Sequence, residues 1–346
     1  MKRIAVLLAI AAVATYVVSA DESQIIDFNK LVADFPTDKP AQNKATIVDF
    51  SSAAGSSFSQ ADKDKMKTSL AVINWDVKLN SSANSVMNSK DSFTKPVVVK
   101  DKATKYAKEN VLGVRIRFPV EAWNAVADIR PPFEIPAYQD KTTEDGITVP
   151  QGELGKGSKF EGGLGVVKNV GVIKTIRVNV FGNNFPHLLS VLLQDQNGIT
   201  SEYKMGTLNF DGWHELDYEN PNYVTDVRNR DIRVYPLYPT SMPYQKLVGF
   251  RIYKDGSVDG GDFVGYIKDV SVVYDKALLT LDRDIDDEAT WNILQDREAG
   301  RRKAELDRLG NIQVLRMLEK QKMDTGTTAT APAATTTPAA TTPAAH

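Results

Sequence analysis

The chain has 346 residues and no cysteine, which excludes disulfides, thiolate metal sites and a cysteine nucleophile together. Its 42% hydrophobic and 25% charged residues are those of a globular protein with a substantial core. A formal net charge of −2 argues against nucleic acid as a partner, because such binders carry a basic excess.

In chain order, residues 1–20 read as a signal peptide. Lys2 and Arg3 precede an apolar run over 4–18, and Val18-Ser19-Ala20 sets small residues at positions −3 and −1 before Asp21. That run is about fifteen residues, short of the ~20 a spanning helix needs, so export with cleavage after Ala20 and no membrane insertion is expected. Residues 21–40, with Phe35-Pro36 and Lys39-Pro40, suggest an extended N-terminal arm.

A β-domain is expected over 41–280. Residues 46–50 are a short strand candidate. In 70–80, Ala71, Ile73, Trp75, Val77 and Leu79 share one face of a predicted strand. In 111–118, Leu112, Val114, Ile116 and Phe118 point inward, with Arg115 and Arg117 outward. Between them 80–91 is polar and irregular, and 100–110 is charged enough for a short helix. Residues 130–136 hold three prolines and read as a stiff extended segment. The glycine-rich stretch 151–165 lacks the spacing of a phosphate-binding loop and reads as a flexible connection.

Strands follow over 170–181, 188–195, 199–208, 213–218, 247–254 and 264–274. Ile176, Val178 and Val180 alternate with Thr175, Arg177 and Asn179, and Val248, Phe250 and Ile252 repeat the pattern. Period-two alternation marks antiparallel strands with one face in a core, so the fold class is an all-β sandwich. Beyond it, 281–323 is rich in Asp, Glu, Arg, Leu and Ala and predicts a helical extension. That helix either packs on its own sandwich or docks on a neighbouring subunit. The Thr/Ala/Pro stretch 324–346 predicts a disordered tail.

Sites for chemistry are few. His187 and His214 are the histidines of the folded part, and neither sits in a nucleophile-elbow or zinc-helix pattern. Asp255, Asp259 and Asp262 lie within one glycine-rich turn, which reads as a hairpin, with a Ca²⁺ site as the alternative. The proline-rich stretch 235–244 should display Tyr235, Tyr238 and Tyr244 for protein or glycan contacts, and Trp123 or Trp213 is a further aromatic candidate against glycan. Trp291, Leu309 and Leu315 are the helical candidates for a subunit contact.

Several stretches carry a resemblance: Asn74-Trp75-Asp76-Val77-Lys78-Leu79-Asn80, Val111-Leu112-Gly113-Val114-Arg115-Ile116-Arg117-Phe118, Pro131-Pro132-Phe133-Glu134-Ile135-Pro136, Gly249-Phe250-Arg251-Ile252-Tyr253 and Leu309-Gly310-Asn311-Ile312-Gln313-Val314-Leu315-Arg316. In this order they resemble the flagellar filament outer-layer (sheath) proteins of spirochetes. The resemblance implies an exported structural subunit that coats a core of flagellins in periplasmic filaments and supports motility. It implies self-association and contacts with core flagellins and other sheath subunits, and it offers no catalytic residues; apart from the Ca²⁺ alternative no cofactor is expected. At the level of fold, the sandwich also resembles the galactose-binding-like jelly rolls of carbohydrate-binding modules. A secreted carbohydrate-binding module is therefore the alternative function.

Overall fold

Inward alternation along long strands dictates two facing sheets, and the computed structural model has them. It describes residues 20–31, 46–137, 141–142, 148–149, 159–223, 243–277 and 290–328. The strands of the first half are β1 (Asp21–Asp27), β2 (Ile47–Asp49), β3 (Lys67–Ser69), β4 (Asp76–Leu79), β5 (Phe93–Val98), β6 (Asn110–Phe118) and β7 (Val126–Arg130). Two-residue strands β8 (Lys141–Thr142) and β9 (Thr148–Val149) pair with each other. The second half holds β10 (Val166–Lys168), β11 (Val170–Asn183), β12 (Leu188–Asp195), β13 (Thr200–Thr207), β14 (Asp211–Glu219), β15 (Tyr244–Tyr253) and β16 (Gly261–Lys276). Helices are α1 (Gln60–Asp64), α2 (Val86–Asp91) and α3 (Ile293–Thr328).

One six-stranded sheet runs β14-β11-β16-β6-β5 with β1 also on β16; the other runs β13-β12-β15-β7-β4 with β10 also on β15. The two central strands share a design. One edge of β16 is divided between β6, along 261–267, and β1, along 269–274. One edge of β15 is divided between β7, along 250–253, and β10, along 244–246. Val178, Val180, Val270 and Val272 face Leu189, Val191, Phe250 and Ile252 across the core. Phe28, Trp75 and Phe250 meet within it, with ring centroids 5.2–6.3 Å apart.

Several expectations change. The arm over 21–40 begins as β1, a strand of the first sheet. Ile25, Ile26 and Phe28 are fully buried, and at about 2–3 kcal/mol for each large apolar side chain this segment is core. Residues 72–74 form a 3-10 turn instead of continuing a strand. The Trp75 indole donates to Leu70 O at 2.9 Å and Asn74 Nδ2 to Ser69 O at 3.1 Å, which turns Ile73 out to 71% exposure. The short helix expected over 100–110 is absent; its turns place Tyr106 and Lys108 at positive φ. The turn 254–260 is no hairpin, because β15 and β16 belong to different sheets and the loop arches between them. Residues 1–19 of the expected signal peptide and 329–346 of the expected tail lie outside the described residues.

The helix expected within 281–323 runs unbroken over Ile293–Thr328, through Gly300 and Gly310 and past the tail boundary at 324. It packs on its own sandwich. Leu309 is 2% exposed, Val314 and Met317 lie against the core, and Gln313 Nε2 and Arg316 Nη1 donate to Pro132 O. Gly310 is needed for close approach: a Cβ there would stand 2.5 Å from Ala53 Cβ, whereas one at Gly300 meets nothing within 4 Å. The two glycines should therefore answer oppositely to alanine. Gly300→Ala should stabilise α3 by up to about 1 kcal/mol through helix propensity. Gly310→Ala should loosen its docking, with Ala53→Gly restoring it, as read by amide hydrogen exchange along 305–316.

Candidate functional site

The described surface offers outward faces of α3 and of the two sheets, and α3 is anchored by charge. Lys246, 1% exposed, donates to Glu134 Oε1 at 2.8 Å and to Glu305 Oε1 at 3.1 Å. Arg308 closes a two-pronged pair on Glu134 at 2.7 and 2.8 Å. A sandwich strand, the 131–137 segment and the helix thus meet at one ammonium. Burial pushes the Glu134 carboxyl up, but Arg308 and Lys246 outweigh it and hold its pKa at about 2. Sequence reasoning missed this cluster, since its members stand 112 and 174 positions apart and no local pattern links them.

The helical candidates divide. Leu309 faces the sandwich and is not available to another subunit. Leu315 is 60% exposed, Trp291 66% and Ile312 38%. Arg297, Arg308, Leu315 and Lys322, spaced by whole numbers of turns, share one exposed stripe of α3, with Glu319 beside it. Here a helix with one face docked presents a second, basic and partly apolar face outward.

The aromatic and acidic candidates are placed differently from expectation. Tyr244 begins β15 and is buried, because its strand position turns the ring inward; its hydroxyl pKa is raised by burial and then by Glu305 and Glu134. Tyr235 and Tyr238 lie outside the described residues. Trp213 is half-buried on β14, in register with Phe181 of β11, which is in register with Tyr266 of β16. These rings pack edge to face at 5.4 and 5.8 Å, and Tyr106 leans on Trp213 at 4.9 Å. The outer face of the second sheet is polar and bonded to itself: Arg251 grips Asp128 at 2.6 and 3.1 Å and Glu202 at 3.1 Å.

Asp255, Asp259 and Asp262 do not converge on a Ca²⁺ site. Asp262 pairs with Arg115 at 3.1 Å, Asp255 accepts from Ser257 N at 2.8 Å and from its hydroxyl, and no metal-holding cluster of His, Asp or Glu exists among the described residues. His187 is buried against Phe118, Phe185 and Phe263. Its Nδ1 accepts from Asp255 N at 3.1 Å, and burial lowers its pKa to about 4, so the ring is neutral and fixes the arch.

The anchor predicts an acid response. Glu134 has a folded pKa near 2 against an ordinary 4.5, so its contribution is complete above about pH 4.5 and is lost as pH falls through about 2. That contribution is on the order of 3 kcal/mol. Exchange protection of α3 should fall over this window in the native chain. In Glu134→Gln it should be lower at neutral pH and flatter below pH 4.5.

The family model "Flagellar filament outer layer protein Flaa" matches residues 39–283. The chain is 48% identical over 320 residues to the flagellar filament outer layer protein of Spirochaeta aurantia, covering 91% of each chain. It is 45% identical to the protein of that name from Treponema pallidum, over 94% of this chain and 95% of that one. Among solved structures it aligns with a family 11 carbohydrate-binding module of a Clostridium thermocellum cellulase, at 9% identity and a TM-score of 0.26, over 61% of this chain and 91% of that one. With the family model spanning most of the sandwich and both relatives matched nearly end to end, this chain belongs to the flagellar filament outer layer protein family.

Proposed function

We propose that the chain is exported to the periplasm and serves there as a structural subunit of the outer layer of the flagellar filament, coating core flagellins and supporting motility. The observation that carries this is the 48% identity over 91% of both chains with a protein named for that layer.

Two features support the finer parts. The predicted cleavage after Ala20 falls immediately before β1, which starts at Asp21, so removal of a signal peptide leaves every described strand intact. The outward face of α3 exposes Ile312 and Leu315, and a polymeric core presents repeated sites, so weak individual contacts add up through multivalency. In this reading the chain performs no reaction. Filaments isolated from the source cells should contain the mature chain starting at Asp21, and deleting its gene should leave thinner filaments with a flagellin core. Filaments of unchanged diameter that lack the protein would refute the proposal.

A glycan-contacting role is the second reading, favoured by the row Trp213–Phe181–Tyr266 on the outer face of the first sheet. Half-buried rings aligned across three strands form a platform on which sugar rings stack. If that platform works, Trp213→Ala should abolish binding on a glycan array, and Trp213→Phe, which keeps a ring against Phe181 and Tyr106, should retain part of it. A native chain that binds nothing on the array removes this reading and leaves the structural one in place.

A further inference from the structure

Four of the ten large apolar side chains most exposed among the described residues crowd one end of the sandwich: Val86 and Met87 on α2, and Val120 and Trp123 on the β6–β7 loop. The loops bearing them are stitched together. Asn80 Nδ2 donates to Asn124 O at 2.8 Å and Ser82 Oγ to the same oxygen at 3.4 Å. Lys254 Nζ donates to Pro119 O, Val120 O and Ala122 O at 3.0–3.3 Å. A Cβ on Gly256 would touch the Trp123 ring at 3.9 Å. The patch is therefore built and rigid.

Its charge is acidic. Residues 119–125 and 254–262 contain Glu121, Asp255, Asp259 and Asp262 against Lys254. Lys254 is buried on carbonyl oxygens, Asp262 is paired to Arg115 and Asp91 of α2 to Arg117, which leaves Glu121, Asp255 and Asp259 to face outward against the single exposed Lys90 of α2. The complementary surface is on the same molecule. Helix α3 carries eight Lys and Arg against six Asp and Glu, and its exposed stripe sets Ile312 and Leu315 between Arg297 and Lys322, with Glu319 alongside and Arg308 already closed on Glu134.

Position decides the consequence. Helix α3 is anchored at Lys246, near the start of β15, and the loop patch follows the end of β15 at Lys254. Eight residues of extended strand separate them by ~25 Å. Two complementary patches at opposite ends of a body cannot satisfy each other within one molecule, and between molecules they make a heterologous contact that continues as an open row. We infer that the acidic, apolar loop end of one copy receives the exposed stripe of α3 from the next copy, so that outer-layer subunits join head to tail along the strand direction. This deepens the outer-layer reading and rests on it for its biological setting, but the contact itself is tested in solution.

The test uses the chain from Asp21 onward, in sedimentation velocity over rising concentration up to millimolar protein. The native chain should grow from monomer to short rows, less so in high salt. Trp123→Glu and Ile312→Glu/Leu315→Glu, changed at exposed positions, should keep the native circular dichroism. Each should weaken self-association by about tenfold or more. An equal mixture of the two should give a heterodimer and nothing longer, because each retains one intact patch and the dimer has none left to pair. A mixture that stays monomeric, or a native chain that is monomeric throughout, overturns the inference. If such a monomeric chain still sediments with isolated filaments, the head-to-tail contact is refuted and the outer-layer assignment stands.

Discussion

Three lysines on or beside the central strands leave water, and the architecture depends on where their ammonium groups find partners. Lys246, Lys254 and Lys268 are 1%, 7% and 4% exposed. A buried ammonium is tolerated only when its donors are satisfied, and each of these is satisfied by an element the sheets alone would not hold. Lys246 takes Glu134 and Glu305 and fixes α3. Lys254 takes three carbonyls and shapes the 119–122 loop. Lys268 takes Asp27 at 2.8 Å and Glu109 at 2.9 Å and fixes the end of β1 and the loop that carries Tyr106.

Such contacts add less net stability than their distances suggest, since desolvation offsets much of the attraction. Their effect is positional. Apolar burial would accept the N-terminal strand and the C-terminal helix at several registers, whereas a lysine with two carboxylates accepts one. The Asp27 carboxylate also accepts from Asn29 N at 3.0 Å, so the same residue ends β1 and orients Lys268. The outward faces of the molecule inherit their placement from these few pairs.

This explains what was legible in the sequence and what was not. Long strands showed their inward faces directly: Ile176, Val178 and Val180 are buried as their alternation requires. The partner of each strand was not legible, because period-two patterning fixes a face and says nothing about which edge it joins. Asp255 to Gly261 therefore looked like a hairpin and is an arch between sheets. Local side-chain bonds defeated the pattern at Ile73, where Trp75 and Asn74 bond back to the chain. Strand β5 was hidden by Pro96, which an edge strand tolerates. On α3 the leucines recur every three residues and drift around the axis, so Leu309 and Leu315 looked equivalent although one is buried and the other exposed.

The remaining question is why subunits with so much exposed strand would meet by their ends. Open sheet edges are templates for uncontrolled pairing, and soluble proteins block them with charge and proline. Both sheets follow that rule. The edge strand β14 carries Asp211, Glu215, Asp217 and Glu219, and β5 carries Lys95 and Pro96. In the second sheet β13 carries Glu202 and Lys204, and β4 carries Asp76 and Lys78. Edge-to-edge addition is thus disfavoured on every side, while the exposed Val86, Met87, Val120 and Trp123 are concentrated at one end of the body and Leu315 stands on a helix anchored toward the other. A subunit built this way is guarded laterally against β-pairing and leaves its ends open for ordered growth.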